Sequence, residues 1–414
     1  MPPVLFFSWF GGGCDLRVAH RSVRLGLSIM TVLHFCTSDS WGGLEVYACT
    51  LMDELRTAGL TVGAVCKPGS KVEAYLKAHN IQRTYLPAYS SVSLRSIRFL
   101  RSLIRQNGVD AVHVHFHRDI WPASFALRGD GHRKLFVSVY MGISGKNDIW
   151  HRYIHARVDG FFTSSKLLND RFPRLYGVPK DKIHFLPYGR RLGQYAVCEE
   201  KRRTIRSSLA IGPDEILVGT MVRIDPGKGV MDFAESFLYL GTELQQKVRY
   251  LIVGEPTRKG NAKPGEPLFE PHCEEYLRRL QTYVAEHGLE KKIYLVGFQD
   301  DVIGYLSAMD IFVFPSRDEL YSLVMLDAMA MSLPIVAAGA SGNLEQVEDG
   351  VNGFLYNVAD SKHLAARLSI YMRDSDIRLS HGAAARKYAE EHHDMKNTIA
   401  RLTKYYQLRE GETC

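Results

Sequence analysis

The sequence predicts an α/β protein built from two doubly wound parallel sheets, each in a domain of its own. Its 414 residues exceed the ~150 residues of an ordinary domain, so we expect two domains. Short apolar runs alternate with amphipathic segments along most of the chain, which is typical of parallel strands linked by helices. The alternation restarts after a charged segment at residues 199–206. This restart indicates where the second sheet begins.

The composition is that of a globular protein rather than a disordered, fibrous or membrane-spanning one. Hydrophobic residues make up 46% of the chain and charged residues 23%, which is an ordinary balance for a packed core and a solvated surface. The most apolar stretch, residues 322–340, is interrupted by Asp327 and Pro334. It therefore falls short of the ~18 uninterrupted apolar residues that a spanning helix needs.

Charge and cysteine usage narrow the class of partner. The net charge of +7 includes no dense tract of lysine and arginine, which favours anionic small molecules or an anionic membrane surface and argues against a nucleic-acid partner. The seven cysteines are widely spread and form no Cys-x-x-Cys pair, so we expect neither a disulfide framework nor a zinc site. The simplest location for such a chain is the cytoplasm.

Residues 1–29 differ from the rest of the chain. An apolar patch at residues 4–10 precedes the arginines of this segment, whereas a secretory signal places its basic residues before the apolar run. We therefore expect a disordered extension, or a start assigned too early with Met30 as the true first residue. No function is assigned before Met30.

The first predicted domain covers residues 30–190 and opens with a strand, a glycine turn and a helix. The strand is expected at residues 32–36, the turn contains Gly42 and Gly43, and apolar residues recur at helical spacing over residues 44–58. The remaining elements predicted in this domain are a helix at 92–106 and strands at 60–65, 111–115, 135–139, 160–164 and 183–186.

The second predicted domain covers residues 207–390 and follows a linker at residues 191–206. Its predicted elements are strands at 216–222, 249–253, 292–296, 311–314 and 334–337 and helices at 271–287 and 319–331. Residues 391–414 contain a last amphipathic helix, at 397–407, which is expected to pack back on the first domain. Because ligands of doubly wound sheets bind beyond the carboxyl ends of the strands, we expect a cleft lined by strand-to-helix loops.

The loop after the predicted strand 216–222 carries two cations on a glycine-rich turn. Arg223 and Lys228 stand five residues apart, a spacing that suits the two charged centres of a diphosphate. Taken alone, the segment is equally well explained as a solvated basic turn. Neither Gly-x-x-x-x-Gly-Lys-Ser/Thr nor a Gly-x-Gly-x-x-Gly placed after a strand occurs, so kinase-type and NAD-type sites are not indicated.

A second loop, at residues 314–329, carries two carboxylates. Glu319 is expected near the start of a helix and Asp327 about two turns along it. Unpaired amides at a helix N-terminus attract phosphate oxygens, and ionised carboxylates accept hydrogen bonds from sugar hydroxyls. Taken singly, either carboxylate is better explained as an acidic residue that caps or solvates a helix.

Together, residues 219–229, 316–336 and 342–354 resemble the donor-domain signature of glycosyltransferase family 4. Further matches to this family lie at residues 42–45, 110–115, 182–189 and 351–355, so the resemblance covers most of the chain from Met30. It implies the two-domain GT-B fold and a retaining, metal-independent glycosyltransferase of the hexosyltransferase type (EC 2.4). It implies no cofactor, and a nucleotide-diphosphate sugar as donor, linked to UDP or GDP.

The resemblance also implies roles for the residues that bind the diphosphate. Arg223 and Lys228 match the family's pair of cations that neutralise it and stabilise the leaving group. Gly42 and Gly43 would let the backbone of the first domain approach the same phosphates, because a glycine carries no Cβ.

Other matched residues would contact the sugar and the nucleoside. Glu319 matches the first acidic residue of the family's paired-glutamate motif, near the donor sugar. Asp327 stands where the ribose-binding glutamate normally lies, with a shorter side chain. Since Leu320-Tyr321-Ser322 replaces the family's Gly-Phe-Gly, only the backbone amides of Tyr321, Ser322 and Leu323 are carried over to donor binding.

His115 matches the family's histidine at the end of a strand, close to the transferred sugar. A histidine that ends a strand is as readily structural as catalytic. Because His113 and His117 flank it, a metal site on one face of the strand is an alternative, but the sequence offers no acidic group to orient such ligands. No metal is predicted.

The acceptor is expected to be a glycan or a lipid-linked saccharide, as in the assembly of envelope polysaccharide or lipopolysaccharide. Arg95, Arg98, Arg101 and Arg105 form a basic face on the helix predicted at residues 92–106, which suits an anionic bilayer and a peripheral position on the inner face of the cytoplasmic membrane. Considered by themselves, these arginines are better explained as the ordinary solvated face of a helix than as a membrane-binding face.

Two other functions remain open at this level. One is a nucleotide-sugar epimerase with a similar fold, which needs no acceptor. The other is a non-enzymatic partner subunit, suggested by Asp327 and by the missing glycines of the second loop.

Overall fold

A computed structural model describes residues 30–407 of the chain except 91, 141–144, 146 and 260–267. Residues 1–29, for which an extension or a misassigned start was expected, lie outside the described residues. The chain divides into two compact units. The first contains the residues up to Ser138 together with Tyr153–Gly160, and the second contains Val139–Arg152 and the residues from Phe161 onward.

The first sheet has seven strands in the order β3-β2-β1-β4-β5-β6-β7. The strands, from β1 to β7, are Thr31–Cys36, Thr61–Cys66, Gln82–Thr84, Ala111–Val114, Lys134–Val139, Gly160–Thr163 and Ile183–Phe185. At its centre, β1 pairs in parallel with β2 on one side and with β4 on the other. These central strands are buried on both faces, which is why they appear in the sequence as continuous rather than alternating apolar runs.

The second sheet has six strands in the order β10-β9-β8-β11-β12-β13. The strands, from β8 to β13, are Ile216–Met221, Val248–Val253, Ile293–Leu295, Ile311–Phe314, Ile335–Ala338 and Gly353–Tyr356. Its core includes Phe233 and Tyr250, whose rings stack 4.4 Å apart. The two parallel sheets confirm the predicted fold class.

Sixteen helices connect and cover the strands in the described residues. Those up to β7 are α1 Gly43–Thr57, α2 Lys71–Ala78, α3 Leu94–Gln106, α4 Ile120–Ala126, α5 Ile149–His155 and α6 Lys166–Tyr176. The others are α7 Glu199–Ser208, α8 Val230–Ser236, α9 Thr242–Lys247, α10 Pro271–Glu286, α11 Val302–Ala308, α12 Leu323–Ala330, α13 Asn343–Gln346, α14 Ser361–Arg373, α15 Ser375–His393 and α16 Met395–Gln407. None of these helices is at once long and apolar enough to cross a bilayer.

The start of one predicted helix differs from the structure. The helix expected at residues 319–331 begins only at Leu323, because the Ser322 hydroxyl caps it by accepting the Met325 amide. Glu319 therefore precedes the helix instead of lying in its first turn. The charged residues 199–206 form most of α7, where Arg202 and Arg206 both bind the carboxylate of Asp310.

Candidate functional site

The loop after β8 is folded into a tight turn that presents Lys228. Asp225 accepts the Gly227 amide at 2.9 Å and so caps a 3-10 turn at Pro226–Lys228. Gly229 follows with φ +64, and a Cβ at this position would come 2.2 Å from the carbonyl oxygen of Pro315. Only glycine therefore lets this loop pack against the loop after β11, the strand next to β8.

The packing of these two loops brings Lys228 and Glu319 together. Lys228 Nζ lies 2.5 Å from Glu319 Oε2 and 3.4 Å from Ser316 Oγ. Ser316 is buried, whereas Lys228 and Glu319 are each partly accessible. The pair is thus held at the carboxyl ends of two adjacent strands, where a ligand of a doubly wound sheet is expected.

Arg223 is not part of this contact. Its side chain is exposed, and among the described residues it makes no hydrogen bond or ion pair. The charge of Arg223 nevertheless acts on Asp225 in the same loop. Burial raises the pKa of Asp225, but hydrogen bonds from Gly227, Cys273 and Thr257 and the positive charge of Arg223 lower it. The net result is a pKa of Asp225 below its usual value.

The loop that carries Glu319 is fixed by the turn before α13. The Gly342 amide donates to the Glu319 carbonyl at 2.8 Å, and a Cβ on Gly342 would lie 1.7 Å from the carbonyl oxygen of Leu320. The side chain of Gln346 accepts the Ser322 amide at 2.8 Å and donates to the Ser322 carbonyl at 3.0 Å. The Ser322 amide, expected to serve a ligand, is therefore engaged within the protein.

The other donor-binding residues expected in this loop differ in environment. Among the described residues, the amides of Leu323 and Val324 in the first turn of α12 have no acceptor, as is usual for the start of a helix. The Tyr321 ring is buried, and its hydroxyl lies 2.6 Å from His393 Nε2. Burial raises the pKa of Tyr321 well above its ordinary value, so its phenol stays protonated.

Asp327 binds two residues of the segment that leads from β7 to α7. Its Oδ1 lies 2.7 Å from Arg190 Nε and accepts the Tyr195 hydroxyl at 2.6 Å, while Arg190 also donates to Oδ2 at 3.2 Å. No sequence pattern indicated these partners, because they stand more than 130 residues away. A contact between Asp327 and a ribose stays a prediction. The ribose would have to bind the same carboxylate that already binds Arg190 and Tyr195.

Glu345 caps a helix within the second unit. Its carboxylate accepts the Ser165 hydroxyl at 2.8 Å and the amides of Lys166 and Leu167 at 2.7 and 2.8 Å, which are the first residues of α6. A carboxylate at a helix N-terminus satisfies unpaired amides and complements the helix dipole.

The glycine turn lies in the first unit and is shaped by Glu45. Its carboxylate accepts the Ser38 hydroxyl at 2.6 Å and the Gly42 amide at 2.9 Å, and α1 begins at Gly43. A Cβ on Gly42 would meet only Glu45 Oε2 at 3.6 Å, an ordinary contact. The fold therefore does not itself require glycine at this position.

His115 lies at the end of β4, among buried histidines. His34 of β1 is the in-register neighbour of His113, and His34 Nδ1 lies 2.8 Å from His115 Nε2. Burial lowers the pKa of His34 to about 3, and burial together with the neighbouring rings lowers those of His113 and His115 well below 6.5. All three are therefore neutral at pH 7.

The array of three histidines on one strand, considered as an alternative, does not form. β4 ends at Val114, and His117 lies in a 3-10 turn with its ring 6.0 Å from that of His155. His34 takes the third place in the cluster instead. Its signal in the sequence was a polar residue inside the apolar run at residues 32–36.

Two groups of described residues have the donor types and spacing to hold a metal ion. One is His34, His113 and His115, and the other is Asp225, His272 and Cys273, with the ligand atoms of each group within 4.8 Å of one another. All five described cysteines are free thiols.

The basic face of α3 is exposed, whereas its apolar face is buried. Arg95, Arg98, Arg101 and Arg105 are exposed, and Ile97, Leu100, Leu103 and Ile104 belong to the core. Arg101 donates to the carbonyl oxygens of Ala126 and Phe125 at the end of α4.

Comparison with known proteins gives two family matches that follow one another along the chain. Residues 41–192 match the model described as Glycosyltransferase Family 4, and residues 201–388 match that described as Glycosyl transferases group 1. Among individual proteins, D-inositol 3-phosphate glycosyltransferase of Nocardia farcinica is 27% identical over 233 residues, which are 55% of this chain and 48% of that protein.

A second relative and a solved structure agree with these matches. The capsular polysaccharide biosynthesis glycosyltransferase CapM of Staphylococcus aureus is 23% identical over 177 residues, 43% of this chain and 42% of that protein. The chain thus spans about half the length of the curated relatives it matches. The crystal structure of Anabaena HepE in complex with UDP superposes with a TM-score of 0.77 at 18% identity, over 91% of this chain and 99% of that one. The architecture is therefore the GT-B fold, and the chain belongs to the group 1, family 4 glycosyltransferases.

Proposed function

We propose that this chain is a retaining glycosyltransferase that moves a sugar from a nucleotide diphosphate to a hydroxyl of an acceptor, without a metal ion. The observation that carries this proposal is the contact between Lys228 and Glu319. It joins the two loops that the sequence marked independently, one as a diphosphate site and the other as a sugar site.

The reaction needs charge stabilisation at the leaving group. As the bond between the anomeric carbon and the diphosphate breaks, negative charge grows on the departing oxygen. A preplaced ammonium at Lys228 stabilises this charge more than it stabilises the bound substrate, and so it lowers the barrier. The exposed guanidinium of Arg223 adds a second positive charge on the same loop.

Glu319 has two tasks in this proposal. It orients the Lys228 ammonium, and its partly accessible carboxylate accepts hydrogen bonds from hydroxyls of the donor sugar. The free amides at the start of α12 are suited to phosphate oxygens. Gly42, Gly43 and His115 complete the proposed machinery, with the roles that the family resemblance gives them.

We propose a UDP- or GDP-linked sugar as donor and a glycan or lipid-linked saccharide of the cell envelope as acceptor. The donor class is supported by HepE, whose solved structure contains UDP. The acceptor class is supported by CapM, a capsular polysaccharide biosynthesis glycosyltransferase.

The exposed arginines of α3 support a contact with an anionic bilayer on the cytoplasmic side. Because the apolar face of this helix is buried in the core, the attraction would be electrostatic rather than by insertion. Binding to vesicles with and without anionic lipid, in wild type and in Arg95→Gln/Arg98→Gln/Arg105→Gln, tests it. Binding that depends neither on anionic lipid nor on these arginines would contradict the contact.

The function is tested by donor binding followed by transfer. A thermal-shift panel of UDP, GDP and ADP with their sugars identifies the nucleotide, since a ligand at a hundred times its Kd stabilises the folded state by about 2.7 kcal/mol. The identified donor is then incubated with envelope saccharides, and the anomeric configuration of the product is read by NMR. We expect transfer with a retained anomeric configuration, at a rate that EDTA does not change. Conversion of the donor sugar without acceptor would instead indicate an epimerase, and binding without turnover a non-enzymatic subunit.

A further inference from the structure

A row of buried polar side chains crosses the carboxyl ends of β1, β4 and β5 in the first unit. His34 and His113 are register partners, and the pairing continues to His115, whose amide donates to the Phe35 carbonyl at 2.8 Å. Since alternate residues of a strand share a face, the three imidazoles project from the same side of the sheet. Ser138 of β5 extends the row, with its hydroxyl 2.9 Å from His113 Nε2. Polar groups so deeply buried are costly unless they are hydrogen-bonded.

The contact between His34 and His115 has the geometry of a linear hydrogen bond. His34 Nδ1 and His115 Nε2 are 2.8 Å apart, the ring planes differ by 9° and the ring centroids are 5.1 Å apart. The two nitrogens thus lie close to the line that joins the ring centres, where an N–H points at a lone pair. Two nitrogens bound tetrahedrally to one zinc ion would be about 3.3 Å apart, so the separation favours a proton rather than a metal between them.

Burial indicates which ring donates. Because both rings are neutral, each carries one proton. His34 Nε2 is buried and has no hydrogen-bond partner among the described residues. A proton at that atom would leave a buried N–H unpaired, which costs more than a bare nitrogen. The proton of His34 therefore lies on Nδ1 and is donated to His115 Nε2, and His115 carries its own proton on Nδ1.

We propose that His34 is a positioning residue, which orients the His115 ring and holds it as the Nδ1-protonated tautomer. This inference rests on the proposed function, in which His115 lies close to the transferred sugar. With its Nε2 lone pair engaged by His34, His115 is not available as a general base at that atom. His115 is then a neutral imidazole with its proton on Nδ1.

The kinetic test compares two substitutions of His34. His34→Phe keeps a ring but removes the donor, and we expect kcat to fall about 10- to 100-fold, as when a partner that orients a functional histidine is lost. The KM of the donor should stay unchanged. His34→Asn carries an amide nitrogen near the position of Nδ1, and it should recover most of kcat. His287→Phe, on an exposed histidine at the end of α10, is the matched control.

A spectroscopic test needs no turnover. In the chain labelled with ¹⁵N-histidine, the imidazole shifts should report a protonated Nδ1 and a bare Nε2 for both His34 and His115, with a scalar coupling across the hydrogen bond. A protonated His115 Nε2, a stoichiometric zinc ion on the three histidines, or an unchanged kcat in a folded His34→Phe would overturn the inference. The expected shifts in a chain that transfers no sugar would instead support the tautomer and count against the proposed function alone.

Discussion

Asp327 and Arg190 form an ion pair, with Asp327 Oδ1 2.7 Å from Arg190 Nε and about nine-tenths of each side chain buried. Asp327 belongs to α12, whose first turn follows the loop that carries Glu319, and Arg190 follows β7 in the chain. Asp327 thus ties α12 to the segment that connects β7 with α7. Its bonds to Arg190 and Tyr195 make it a structural anchor whatever it contributes to nucleotide binding.

Asp327→Asn should destabilise the protein by about 3–5 kcal/mol, because it removes the charge of one partner of a buried ion pair. Urea unfolding measures the loss. The control is Asp318→Asn, at the exposed carboxylate next to Glu319. A drop below about 1 kcal/mol together with a weakened affinity for the nucleotide would show that ligand binding, rather than anchoring, is the main task of Asp327.

Lys228→Ala should lower kcat by about two to three orders of magnitude, the usual loss when one preorganised donor to a developing negative charge is removed. The control is Lys247→Ala on α9, an exposed lysine paired with Glu243 four residues away. Initial rates at saturating donor separate this effect from weaker binding. Turnover equal to that of the control would remove Lys228 from the proposed mechanism.

Glu345→Ala should destabilise the second unit by about 1–2 kcal/mol or more, because the first turn of α6 loses its cap. Glu345→Gln should cost less, since an amide oxygen still accepts from the same amides but without the charge. The measurement is again urea unfolding, with Glu348→Ala, three residues further at an exposed site, as control. Equal stabilities of the two alanine variants would contradict the capping role.

Gly342→Ala should displace the loop at Glu319, because the new Cβ would lie 1.7 Å from the Leu320 carbonyl oxygen. The backbone at Gly342, with φ −68, suits any residue, so the effect is purely steric. We expect lower stability and at least a tenfold loss of turnover, whereas Gly241→Ala, with open space around its Cβ, should change neither. If Gly342→Ala turned over at the wild-type rate, the rate of the reaction would not depend on the position of Glu319.

Stability should fall steeply as the pH drops below about 6.5. The folded-state pKa is about 3 for His34 and about 4 for His393, and it is also lowered for His113 and His115. As the pH falls, these histidines therefore take up protons in the unfolded chain before they do so in the folded protein. Their contribution is therefore complete above pH 6.5 and is lost progressively as the pH falls towards these folded values, at up to about 1.4 kcal/mol per pH unit for each group.

Asp119 acts in the opposite direction. Burial raises its pKa to about 6, so its contribution to stability is present at low pH and is lost as the pH rises through 6, which partly offsets the histidines. Thermal unfolding between pH 7.5 and 4.5 measures how stability changes with pH, and thus how many protons are taken up on unfolding. His34→Phe should reduce that number by about one. A slope that is flat below pH 6.5 would contradict the burial of these histidines as neutral groups.

The sequence by itself determined the class of fold and the position of most elements. Apolar runs bounded by glycines and polar caps located eleven of the thirteen strands, all but β3 and β13. They do so because a strand buried on both faces needs an uninterrupted apolar segment. It also placed Arg223, Lys228 and Glu319 on loops that follow β8 and β11. Local spacing suffices for such predictions, since each depends on residues within one strand or one turn.

Only the tertiary structure decided which side chains meet. The contacts of Lys228 with Glu319, of Asp327 with Arg190 and of His34 with His115 join residues 81 to 137 positions apart. The structure also showed that the Ser322 amide is bonded to Gln346 and that Glu319 precedes its helix. The physical reason is that hydrogen bonds and ion pairs act over about 3 Å in space, whereas sequence patterns report only the order of residues along the chain.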